Sequence, residues 1–208
     1  MYDVRTTEEL VRFFVVSYHD CFQGKVFNLV QNSERMTHCL GRLTESYELA
    51  EMMEKSGQLD PKIKKNIDRN KNEMFAYQII ALAMSIESLK LVMSIKWTNY
   101  TTIDEVNYIK EAIRIYQVIR QGNFVEFFRT LRRPTTNYFF ACVMLIHIEH
   151  MRLVAIETLY RCYHATGFPL SLVKAKLNLP SMEDADTIIK AAGYQSEKNA
   201  QGRLVTKR

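Results

Sequence analysis

The chain has 208 residues, 47% of them hydrophobic and 11% aromatic, with only seven glycines and four prolines. That is enough for one domain with a sizeable core, leaves room for a small second lobe, and suits long helices rather than a β-rich fold. The formal net charge is +5, but residues 1–119 hold 15 Lys and Arg against 16 Asp and Glu, while residues 120–208 hold 13 against 7.

Thr6-x-x-Glu9 has capping-box spacing and predicts a helix to about Phe22 or Phe27, with Leu10, Phe13, Phe14, Val16 and Cys21 on its buried side. Ser33 predicts the cap of a second helix over 34–55, with Met36, Leu40, Leu43, Tyr47 and Met53 inward and Gly57 as its stop. The stretch 58–71, with Lys62, Lys64, Lys65, Arg69 and Lys71, is expected to be a solvated connection. A third helix starts at Asn72 and carries Phe75, Tyr77, Ile80 and Met84; short helical segments continue to Trp97. Thr102-x-x-Glu105 opens a helix over 103–121 that buries Val106, Ile109, Ile113, Tyr116 and Ile119.

Gly122-Asn123 then reads as a left-handed stop followed by a new cap. Pro134 disfavours helix at Arg133 and forces a corner. Asn137 to Tyr163 is the longest unbroken helical pattern, apolar at Phe140, Val143, Met144, Ile148, Met151, Val154, Ala155, Leu159 and Cys162. Beyond Gly167 come a short helix over 168–177 with Leu170, Val173 and Leu177 inward, and a turn over 178–181. A second helix over 182–192 follows, capped by Ser181 and stopped by Gly193, and then a hairpin within 193–208. The fold class is therefore all-α, a helical-repeat stack over residues 1–166 ending in a small winged-helix lobe with a short β-hairpin over 167–208.

The four cysteines, Cys21, Cys39, Cys142 and Cys162, lack metal-ligand spacing and are expected as buried, reduced thiols. Asp3, Arg5, Glu8 and Glu9 occupy the place where a secretory signal needs an apolar core, and the longest apolar run, Tyr138 to Ile148, is too short to span a bilayer. An intracellular protein with no membrane partner is the expectation. There is no phosphate-binding P-loop, no Gly-x-Gly-x-x-Gly and no Gly-x-Ser-x-Gly. His147-Ile148-Glu149-His150 puts two histidines three residues apart, which raises a metal-dependent helical-bundle enzyme as one reading; no second His/Glu pair has matching spacing to complete a site. Cys162-Tyr163-His164 raises a thiol nucleophile, but adjacent helical residues point about 100° apart and no carboxylate at a useful spacing orients them. Neither an enzymatic activity nor a cofactor is expected.

The basic residues carry the better signal. Arg129, Arg132 and Arg133 gather at the Pro134 corner; Lys174 and Lys176 lie on the first helix of the C-terminal lobe and Lys190 on the second; Lys198, Arg203, Lys207 and Arg208 lie on or beside the wing. Contacts from such residues to phosphates give affinity without sequence readout. A solvated basic face is the alternative. Of the aromatics Phe124, Phe127, Phe128, Tyr138, Phe139 and Phe140, helical spacing assigns most to the core and leaves one or two at a surface for base stacking.

Gly122-Asn123-Phe124-Val125-x-Phe127-Phe128, followed by an aromatic-plus-cysteine helix with Met151-Arg152 and Ala155, resembles the SAC-three/GANP family. Arg12-Phe13 with His19, Glu73-x-Phe75-x-Tyr77, and the Pro169-Leu170-Ser171 ending before an acidic-rich helix extend the resemblance over roughly residues 8–208. Phe14 stands where the family usually has histidine, and Tyr77 comes one place early. The resemblance implies a PCI-type scaffold of a nuclear mRNA-export complex of the transcription-and-export (TREX-two) type, located in the nucleus and at the nuclear pore. It further implies that the winged helix pairs with a second PCI-domain subunit, itself bound by a small acidic proteasome-lid-type protein, and that together they present one basic surface to RNA. A proteasome-lid or signalosome-type PCI subunit without nucleic-acid binding is the alternative scaffold reading; it has no need of the basic C-terminal part.

Overall fold

The computed structural model describes residues 3–22, 27–95, 103–163, 167–198 and 204–207. The chain is predominantly helical: α1 (Val4–Asp20), α2 (Leu29–Lys55), α3 (Pro61–Ala81), α4 (Ile86–Met93), α5 (Ile103–Arg120), α6 (Phe124–Arg132), α7 (Tyr138–Met144), α8 (Ile148–Tyr163), α9 (Leu170–Leu177) and α10 (Met182–Ala191), then strands β1 (Gln195–Lys198) and β2 (Leu204–Lys207). It divides into two compact units. The first comprises Met1–Arg120 and Thr135–Ile146, the second Gln121–Pro134 and His147–Arg208. The segment 167–208 thus lies in one unit together with α6 and α8.

In the first unit α1 packs on α2, α2 on α3, α3 on α5, and α7 against α1 and α3. Val11, Val15, Met36, Leu40, Leu43, Ile80, Ile109, Ile115, Phe140 and Val143 fill its core, and each such side chain contributes roughly 1.5–3 kcal/mol by leaving water. Threaded through these apolar residues is a polar network. Arg12 donates from Nε to Glu73 Oε1 at 2.9 Å and from Nη2 to Glu73 Oε2 at 2.5 Å. Tyr77 donates its hydroxyl to Glu73 Oε1 at 2.7 Å. Glu8, only 2% exposed, accepts from the Tyr47 hydroxyl at 2.8 Å and from Asn70 Nδ2 at 2.6 Å. Burial, then the Glu8 carboxylate, pushes the Tyr47 hydroxyl well above the ordinary tyrosine range. Burial, then Tyr108 and Glu73, does the same for Tyr77. Bonding to Glu73 pushes the Arg12 guanidinium upward. Three helices, α1, α2 and α3, are keyed to one another by charge-assisted hydrogen bonds, which are about twice as strong as neutral ones.

This network corrects the expected face of α1. The buried residues are Glu8, Val11, Val15 and Tyr18, whereas Leu10 is 43% and Phe13 63% exposed. A buried carboxylate holds the place that pattern reading gives to an apolar residue, so the inward stripe is displaced by one position. The start of α2 is also earlier than Ser33: Asn28 accepts from the Gln31 amide at 3.0 Å as the N-cap, and Ser33 instead donates to the Val30 carbonyl. Residues 61–71 are helical rather than a connection. Asp60 caps them by accepting from the Lys62 amide at 2.7 Å, and Pro61 occupies the first helical position, where its missing N–H is harmless.

In the second unit α6 packs on α8 and α9, α9 on α10 and on β2, and α10 on β1. Its core holds Phe127, Phe128, Met151, Ala155, Phe168, Val173 and Ile189. Leu170, Val173 and Leu177 are buried along α9 as the sequence indicates. Gly122 adopts φ +64, and a Cβ there would meet Val154 Cγ1 at 3.1 Å. Asn123 accepts from the Glu126 amide at 3.1 Å and starts α6. Arg133, before Pro134, leaves the helix at φ −74 and ψ 122. Ser181 and Asp184 form a reciprocal capping box for α10. Strands β1 and β2 pair antiparallel, Gln195 opposite Lys207 and Lys198 opposite Leu204.

The expected unbroken helix over 137–163 is interrupted by a 3-10 turn at Leu145–His147, where the boundary between the two units also falls. Counted whole, residues 138–163 are long and apolar enough to cross a membrane by length and composition, which the shorter run to Ile148 is not; half of their most apolar window is buried within the structure. Nor are the four free thiols uniformly buried: Cys142 is, Cys21 and Cys39 are half-buried, and Cys162 is exposed. Burial pushes the Cys142 thiol upward.

Candidate nucleic-acid interface

The basic residues singled out in the sequence fall in the second unit. They lie on the short helices α6, α9 and α10 and on the hairpin, and the structure sorts them by what each guanidinium or ammonium already touches.

At the Pro134 corner, Glu126 collects two of the three arginines. Arg129 Nη1 lies 2.7 Å from Glu126 Oε2, and Arg133 Nη2 lies 3.3 Å from Glu126 Oε1. The shared carboxylate lowers the positive potential this corner can offer a phosphate. Arg132 turns the other way: Nε donates to the Phe128 carbonyl at 3.1 Å, and Nη1 to the Ala175 carbonyl of α9 at 3.4 Å. Ala175 lies in the last turn of α9, where carbonyls lack helical partners and cations are favoured. Arg132 therefore ties α6 to the C-terminal end of α9 and brings the corner beside the turn that holds Lys174 and Lys176.

Lys176 is exposed and Lys174 half-buried. The helix that carries them ends at Asn178, which adopts the left-handed conformation at φ 53 while the Leu179 amide closes on the Lys174 carbonyl at 3.1 Å. Lys190 on α10 is exposed but lies 2.5 Å from Asp186, one helical turn earlier. Lys198 and Lys207 belong to opposite ends of the hairpin ladder, separated along it by about 10 Å at the usual strand rise. Arg203 and Arg208 lie outside the described residues. The structure thus joins Arg132 to the α9 turn, gives Arg129, Arg133 and Lys190 acidic neighbours, and spreads the two hairpin lysines apart.

Several further residues bear on this surface or on the other sequence candidates. Tyr160 of α8 and Tyr194 after α10 stack with centroids 4.2 Å apart at 26°, a pairing no local pattern shows because the residues are 34 positions apart. Arg152, mostly buried on α8, pairs with Glu149 at 2.8 Å and leaves its Nε without a partner. Among the aromatics considered for base stacking, Phe127, Phe128 and Phe140 are buried, Phe124 and Phe139 half-buried, and Tyr138 is exposed. His147 is buried in the 3-10 turn while Glu149 and His150 are exposed. Among the described residues no group of three or more His, Cys, Asp or Glu side chains is placed to hold a metal ion. His164 lies outside the described residues.

A model of the SAC3/GANP family matches residues 2–198. Protein xmas of Drosophila melanogaster is 27% identical over 106 residues, covering 48% of this chain and 5% of the length of that relative.

Proposed function

The chain belongs to the SAC3/GANP family, and on that footing we propose that it is the core of a nuclear mRNA-export scaffold rather than an enzyme. Its segment 167–208 serves as the winged helix of a PCI-type domain and pairs with a second PCI-domain subunit, which a small acidic lid-type protein holds in turn. The paired lobes present a basic surface to RNA, in the nucleus and at the nuclear pore. The family match over residues 2–198 carries this reading. The charge distribution supports it: residues of the first unit hold 16 Lys and Arg against 16 Asp and Glu, those of the second 12 against 7. The order of helix, turn, helix and hairpin in α9, α10, β1 and β2 supports the winged-helix assignment.

A second scaffold reading, a lid-type subunit without RNA, draws on the acidic neighbours of Arg129, Arg133 and Lys190. RNA binding by the Lys198/Arg203/Lys207/Arg208→Ala variant across a salt series, alone and with the PCI partner, separates the two. Neutralising four phosphate contacts on single-stranded RNA lowers the slope of log affinity against log salt by about 3 and weakens unrelated sequences alike. An unchanged slope in both settings favours the lid-type reading.

A further inference from the structure

On the first unit, α2, α3 and α4 enclose a cleft of about 270 Å³. Leu40 and Leu43 of α2, Phe75 of α3, and Leu91 of α4 with Ile95 just beyond it form its apolar part, and Thr44, Asn72, Gln78 and Ser94 its uncharged polar part. The volume lies below the roughly 300–1,000 Å³ of small-molecule pockets, and suits one or two protein side chains. The rim is acidic. Glu48 and Glu51 of α2 line it, and Lys71, the one cation among the residues described there, is bonded to Glu51. Glu48 is exposed and, like Glu45 three residues before it, has no ion-pair partner among the described residues.

Spacing carries the same chemistry out of the cleft. Glu45, Glu48, Leu49 and Met52 stand at i, i+3, i+4 and i+7, and so share one stripe of α2. Leu49 is 48% and Met52 65% exposed. A small cleft of mixed polar and apolar lining, two carboxylates without an ion-pair partner among the described residues, and two exposed apolar side chains therefore run side by side. The carboxylates repel a phosphate backbone and anionic lipid headgroups, and the cleft is small for a cofactor. A cation flanked by apolar groups complements all three features.

We propose that this cleft and stripe form a docking site for a short basic–apolar segment of a partner protein. One large apolar side chain enters between Leu40, Phe75 and Leu91, a Lys or Arg meets Glu48 and Glu45, and a second apolar residue covers Leu49 and Met52. The site is independent of the basic surface of the second unit and of RNA.

The probe is a labelled amphipathic peptide of about 14 residues, roughly four helical turns, with leucines at i, i+4 and i+7 flanked by lysines, compared with Leu→Ser and Lys→Glu versions by fluorescence anisotropy against the whole chain. The Leu/Lys peptide binds at least about tenfold more tightly than either control, a difference of about 1.4 kcal/mol. The exposed double change Glu45→Lys/Glu48→Lys and the cleft-filling Ser94→Trp each remove that advantage, while thermal melting stays that of the parent and hydrogen exchange shows peptide protection confined to α2, α3 and α4. Equal binding of the three peptides overturns the proposal, as does binding that both variants retain. Concentration-dependent dimerisation abolished by Ser94→Trp also overturns it, in favour of a second copy of the chain as occupant.

Discussion

The two units solve the problem of holding helices together by different chemistry. The first has equal numbers of basic and acidic residues and places several of them inside, where Arg12, Glu73, Glu8, Tyr47 and Tyr77 are locked by short hydrogen bonds. The second carries all of the net positive charge, builds its core from Phe127, Phe128, Phe168, Val173 and Ile189, and keeps its charged groups mostly outside. A buried polar network fixes register because each donor has one good acceptor, whereas an apolar core tolerates changes of similar volume. The difference teaches that polar keying fixes the arrangement of helices in the first unit, whereas in the second an apolar core and local caps hold the helices and leave most charged groups at the surface.

The largest test of that contrast is Glu73→Leu. It strands the Arg12 guanidinium, whose side chain is only 28% exposed, and removes the acceptor of Tyr77, so destabilisation of about 3 kcal/mol is expected in urea unfolding. The paired change Arg12→Leu/Glu73→Leu recovers most of that loss, because no charge is left unpaired. Hydrogen exchange locates the loss in α1, α2 and α3. Uniform loss across both units, or no recovery in the double variant, breaks the contrast.

Gly122→Val probes the second unit, where backbone geometry replaces polar keying. A β-branched residue at φ +64, with its Cβ 3.1 Å from Val154 Cγ1, costs about 2 kcal/mol in the urea midpoint. Adding Val154→Ala relieves the contact but not the backbone strain, so only part of the stability returns.

The smallest effect is Tyr47→Phe, about 1.5 kcal/mol at neutral pH from the hydrogen bond lost to Glu8. It also sharpens the comparison through pH. The folded hydroxyls of Tyr47 and Tyr77 titrate above their unfolded value near 10. Their contribution is complete below that value and is lost as pH rises beyond it, because the unfolded chain releases those protons first. Thermal melting followed from pH 8 to about 11 therefore falls at the alkaline end, and the Tyr47→Phe variant falls less steeply than the parent.

The sequence by itself determined the features that depend on a few neighbouring residues. Gly122 with Asn123, the extended Arg133 before Pro134, and the Ser181–Asp184 box are all written within four positions, because caps and stops are local hydrogen-bond and steric events. The Asp60-Pro61 start of α3 was equally local, but the lysines that follow mask it when charge is taken as a sign of a connection. Family motifs were legible too; the structure gives Arg12, Glu73 and Tyr77 a physical reason to occur together. Only the tertiary structure decided which face of α1 is buried, since Glu8 becomes an interior residue solely because Tyr47 and Asn70, 39 and 62 positions away, supply its donors. It alone decided that Arg132 joins α6 to α9, that Glu126 shares its charge between Arg129 and Arg133, and that helix gives way to a 3-10 turn at Leu145–His147. Periodicity counts each residue by its own polarity, whereas burial of a charge and the pairing of a cation depend on partners that only the folded chain brings within reach.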